Sequence, residues 1–150
     1  MKNCLTLAIL SASLFTCKTP LQEYNFETII WTAAWSPDGR YEASGGNSES
    51  LTIWSADTWQ VTEQHSFPKT ITNTAWHPTQ PKLAVTLHLT SETSVIIDME
   101  NKKKTALPGL SPEGARAAAW SPDGKLLAIG DNEGYLSLYA PGGALERQVK

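Results

Sequence analysis

The chain has 150 residues, 41% hydrophobic and 18% charged, a balance that excludes intrinsic disorder and allows one domain with a real core. Twelve Lys and Arg against fifteen Asp and Glu leave a formal net charge of -3, so there is no general attraction to nucleic acid or anionic lipid. Both cysteines, Cys4 and Cys17, fall before residue 18, which excludes a disulfide or a thiolate metal site further along.

Met1-Lys2-Asn3 gives a positively charged start, and Leu5 to Phe15 is apolar over 11 residues. That length fits the roughly 7–15 residues of a signal h-region and falls short of the about 20 needed to span a bilayer. The pattern ends at Cys17-Lys18-Thr19-Pro20. Residues 1–17 are therefore expected to be an export signal, 18–23 a linker and 24–150 the folded part. Leu14-Phe15-Thr16-Cys17 resembles a bacterial lipobox, with Thr16 where that motif prefers Gly, Ala or Ser. Two readings stay open: a lipoprotein lipidated on Cys17, or a plain signal peptide cut near Ser11-Ala12-Ser13. Both place the protein in the periplasm or at the cell surface, and only the lipid anchor would tie it to a membrane.

The body repeats. Ala33-Ala34-Trp35-Ser36-Pro37-Asp38-Gly39 returns as Ala118-Ala119-Trp120-Ser121-Pro122-Asp123-Gly124, with Thr74-Ala75-Trp76-His77-Pro78 between them. The tryptophans are 41 and 44 residues apart, inside the roughly 40–45 window of four-stranded propeller blades. Ser-Pro-Asp-Gly supplies a type I turn, Pro presetting φ and Gly taking the left-handed position. After each turn come two more strand-like stretches, such as Tyr41 to Gly46 and Leu51 to Trp54, separated by turn-rich residues. Fourth strands are expected over Gln60 to Phe67, Thr105 to Leu110 and Leu145 to Val149.

On these residues, Tyr24 to Lys150 resembles the WD-repeat family, in the degenerate bacterial-type form marked by Ala-Trp-Ser-Pro-Asp-Gly. The resemblance implies an all-β fold, a partial β-propeller of three four-stranded antiparallel blades. Tyr24 to Ile30 would be a stray outer strand of an unfinished blade. The family's Gly-His pair is missing, and its Trp-Asp dipeptide stands here as Trp54-Ser55, Ile97-Asp98 and Tyr139-Ala140. Its buried Asp-His-Ser-Trp network is accordingly not expected.

Propellers close with about 4–8 blades, so three leave the ring open. Self-assembly of copies, a partner chain supplying blades, or truncation of a longer product would each complete it. The end at Lys150, near a repeat boundary, is what a unit deleted or split by whole repeats would give.

No catalytic, cofactor-binding or metal-binding residue is assigned. His65, His77 and His88 lie in no nucleophile or metal motif, and His77, standing where the other units have Ser, reads as a turn residue. Asp38 and Asp123 recur once per copy, as punctuation does. Lys102-Lys103-Lys104 could grip a phosphate or acidic partner, but a solvated turn is the expected role. Trp35, Trp76 and Trp120 are expected to pack blade on blade. Trp31 and Trp59, outside the repeated positions, are the candidate binding contacts, weighed against plain core packing. The expected function is a non-catalytic module that binds or scaffolds a protein or peptide. The alternative is a propeller-type enzyme, such as a hydrolase or lactonase, with acids and histidines around its axis.

Overall fold

A computed structural model describes residues 29–89 and 94–150. The expected leader with Cys17, the linker and Tyr24 to Thr28 lie outside the described residues. Strands and turns make up the described chain, which forms three four-stranded antiparallel sheets. Blade 1 comprises β1 (Ile30–Trp35), β2 (Tyr41–Gly46), β3 (Ser50–Ser55) and β4 (Val61–Ser66). Blade 2 comprises β5 (Ile71–Trp76), β6 (Lys82–Leu87), β7 (Val95–Asp98) and β8 (Lys104–Ala106). Blade 3 comprises β9 (Ala115–Trp120), β10 (Leu127–Asp131), β11 (Leu136–Tyr139) and β12 (Leu145–Val149). Each is a simple meander, neighbours in sequence pairing in the sheet. The three-blade partial propeller expected from the repeat is the fold observed. Two details differ. Ile30, expected at the end of a stray outer strand, begins the inner strand β1, because its partner is Gly46 of β2. The fourth strand of blade 2 spans Lys104–Ala106: the Leu107 amide still bonds the Ser94 carbonyl, and Pro108 and Gly109 then turn the chain.

The first turn of each blade shows why the motif recurs. In blade 1, Ser36 Oγ donates to Asp38 Oδ1 at 2.7 Å and accepts the Tyr41 amide at 2.9 Å, while Gly39 takes φ 70°. Blade 3 repeats this with Ser121, Asp123, the Leu126 amide and Gly124 at φ 71°. The hydroxyl replaces a missing backbone partner, which fixes the turn and hence the strand register.

Alternation then gives every blade two inward faces. One, the leading face, looks back along the sequence; the other, the trailing face, looks forward. Blade 1 sends Ala43, Leu51 and Ile53 from its trailing face against Leu83, Val85, Leu87 and Ile97 of blade 2. Blade 2 sends Ala84 and Ile96 against Leu127, Ile129 and Tyr139 of blade 3. All of these side chains are buried, so hydrophobic burial holds the blades side by side. Inner strand β5 lies between β1 and β9, which lays out the fan of blades.

Candidate binding cleft and the exposed aromatic rim

A directional hydrogen bond accompanies each apolar interface. Trp76 donates its indole N–H to the Ala34 carbonyl at 3.0 Å, and Trp120 donates to the Ala75 carbonyl at the same distance. Both rings are half-buried between blades, as expected. Trp35, expected to do likewise, is instead 55% exposed, because no described blade precedes its own.

His77 is the second departure from strict repetition. Its Nδ1 accepts the amides of Thr79 and Gln80 at 3.1 and 2.9 Å, so Nε2 carries the proton and donates to the Gly124 carbonyl at 2.9 Å. The ring is 1% exposed and meets Trp120 edge-on, the centroids 4.6 Å apart. One imidazole thus does the turn-closing work of Ser36 and Asp38 and also joins the turns of blades 2 and 3. Burial holds its pKa below the ordinary imidazole value. A Cβ at Gly124 would lie 2.4 Å from His77 Cε1, so glycine is required there by close approach as well as by φ. His77 is the turn residue expected. His65 instead faces Glu63 on β4, and His88 faces Asn132 across blades 2 and 3. The three histidines are therefore not brought together.

The lysine run is exposed, as expected, yet two of its members reach blade 1. Lys102 pairs with Glu63 of blade 1, and Lys104 donates to the Ser66 carbonyl at 3.2 Å with its ammonium 4.1 Å from the centre of the Phe67 ring. Outer strands β4 and β8 are clasped by these contacts. Sequence spacing alone could not reveal it, since the partners lie 38 and 39 residues away.

Between blades 1 and 2 opens a cleft of 490 Å³. Tyr41, Ile53, Trp76 and Met99 give it an apolar and aromatic lining, and Pro37, Pro78 and Pro81 stiffen its walls. Asp38, Glu63 and Glu100 bring carboxylates to the same space, Asp38 paired with Arg40 and Glu63 with Lys102. Asp38 is held to a pKa of about 2 by the Ser36 hydroxyl first, then by the amide and guanidinium of Arg40, so it stays charged through the neutral range. Sequence reasoning missed this cleft, whose walls come from turns 41 residues apart.

The two candidate contacts occupy opposite ends of blade 1. Trp31 is 54% exposed, its indole donating to Asn47 Oδ1 beside the β2–β3 turn. Trp59, at φ 54° in the β3–β4 turn, is 44% exposed and meets Trp35 edge-on with centroids 5.9 Å apart. They form two separate spots. Behind Trp35, a hydrogen bond of 2.7 Å runs from the buried Trp54 indole to Ser44 Oγ.

The WD domain, G-beta repeat family model matches residues 15–55, overlapping the last three residues of the expected leader. Eukaryotic translation initiation factor 3 subunit I of Candida albicans is 22% identical over 125 residues, covering 74% of this chain and 36% of that protein. The β-propeller domain of Myceliophteria thermophila Cps50 (Swd1) superposes with a TM-score of 0.71 at 18% identity, over 81% of this chain and 41% of that one. The chain spans well under half the length of these relatives.

Proposed function

We propose that this propeller segment is a non-catalytic protein-binding module, and that the cleft between blades 1 and 2 receives its partner. The observation that carries the reading is the joining of an aromatic lining with three carboxylates in one 490 Å³ space. Such a site suits a peptide that inserts a cationic side chain, where ring faces and carboxylates act together. The similarity to a protein named as a subunit of a translation initiation factor supports a scaffold role. Trp31 offers a second contact at the other end of blade 1. Affinity capture from the source organism tests the proposal, using the intact protein beside a Tyr41→Ala/Glu100→Lys variant. A defined partner retained by the first and lost by the second supports it; identical captures, with unchanged thermal unfolding, overturn it.

The export reading belongs to the same proposal and rests on residues 1–17 alone. Lipid on Cys17 would hold the module at a membrane surface, each buried methylene contributing about 0.8 kcal/mol. Fatty-acid labelling that Cys17→Ala abolishes supports the anchor. A cytoplasmic, unprocessed chain contradicts export.

A further inference from the structure

The two interfaces between blades are built on one register and furnished oppositely. Tyr41 and Lys82 each open the second strand of a blade, paired with Ser55 and Asp98 of the third. Side chains alternate along a strand, so Tyr41 lies with Ala43, and Lys82 with Ala84, on the side facing the next blade. Met99 and Pro141 are equivalent too, each two residues beyond Ile97 and Tyr139, the partners of Leu83 and Leu127. Tyr41 and Met99 line the cleft together, and across the second interface Lys82 donates its ammonium to the Pro141 carbonyl at 3.3 Å.

Each interface lacks what the other has. The second carries its own ammonium, while Thr79, Thr105 and Gly142 stand where the first has Asp38, Glu63 and Glu100. The first carries those three carboxylates, and a phenol ring stands at the register of Lys82. Two of the carboxylates are answered locally, Asp38 by Arg40 and Glu63 by Lys102. Among the described residues Glu100 has no ion-pair partner.

We infer that the cleft takes a lysine side chain of the partner, its ammonium between Glu100 and the Met99 carbonyl as that of Lys82 stands at Pro141. The inference rests on the cleft being the partner's site. A carboxylate and ring faces attract an ammonium together, and the stem of a lysine covers apolar surface such as Tyr41 and Trp76. A guanidinium is matched best by a carboxylate that offers both oxygens, and Arg40 already engages the Asp38 carboxylate from within the chain.

NMR titration of the full chain with N-acetyl-lysine methylamide tests it, beside the arginine analogue and the same lysine acetylated on its side-chain nitrogen. The lysine compound should shift the Trp76 indole and the Glu100 amide saturably, and bind at least tenfold more tightly than either comparator. Tyr41→Lys, which supplies the cation from within, should abolish the response. Glu100→Gln alters an exposed side chain and should weaken binding several-fold with thermal unfolding unchanged, which keeps the test valid if Tyr41→Lys does not fold. No shift with the lysine compound at about 50 mM overturns the inference. So does an equal response to either comparator, or a response that a folded Tyr41→Lys or the Glu100→Gln variant leaves intact. Each of these results leaves the cleft as a partner site to be decided by the capture experiment above, which needs no lysine.

Discussion

The leading faces of blades 1 and 2 share a backbone and differ in chemistry. Blade 2 presents Leu83, Val85, Val95 and Ile97, packed against blade 1. At the same register blade 1 presents Glu42, Ser44, Thr52 and Trp54, buried as well, yet linked by hydrogen bonding between Trp54 and Ser44. The first face is held by burial, which is non-directional and large; the second depends on polar groups being matched, and Glu42 Oε1 is buried without a partner. The difference teaches that the repeat fixes strand geometry, while the cohesion of each interface is decided separately by its side chains.

The comparison breaks most readily at Leu83. Leu83→Ala is expected to cost about 2–5 kcal/mol in chemical denaturation, whereas Thr52→Ala on the polar face costs about 1 kcal/mol. His77→Ala comes next, at about 1–3 kcal/mol, because it leaves two turn amides and the Gly124 carbonyl unpartnered. The same residue gives a pH signature. Its folded pKa lies below the unfolded 6.5, so its share of stability is full above that pH and declines as pH falls below it. A denaturation midpoint measured from pH 8 to 5 should fall in the native protein and flatten in His77→Ala.

Smaller effects sharpen the contrast. Burial raises the pKa of Glu42, so its neutral form is favoured and its contribution is lost as pH rises through the folded value. Glu42→Gln should therefore raise the melting temperature at pH 7 more than at pH 4. Trp76→Phe removes one interblade bond, worth about 0.5–1.5 kcal/mol, while Trp35→Phe in dilute protein should stay within about 0.5 kcal/mol. The smallest change concerns Asp38 and Asp123, both held near a pKa of about 2 by their turn hydroxyls. Their stabilisation is present above the ordinary 3.8 and lost as pH falls toward 2, which an acid titration of Asp38→Asn should show as a shallower decline.

Much of this fold was legible because the turns carry their own chemistry. Ser36, Asp38 and Gly39 announce a tight turn wherever they recur, and the 41- and 44-residue spacing then counts the blades. The contacts between blades were not legible, because they join residues about forty positions apart that no local pattern links. Lys102 reads as a solvated charge until Glu63 is seen beside it, and Trp35 reads like Trp76 until the absence of a described preceding blade exposes it. The cleft stayed hidden for the same reason. Trp31 and Trp59 are exposed at opposite ends of blade 1, a separation that no local pattern shows.

Trp76 and Trp120 each tie their blade to a carbonyl of the blade before it. Deuterium exchange of the individual indole N–H protons, followed by NMR, tests that bond directly. Trp76 and Trp120 should exchange slowly at every protein concentration, and Trp35 should exchange quickly in dilute protein. Equally rapid exchange at Trp35, Trp76 and Trp120 would contradict it.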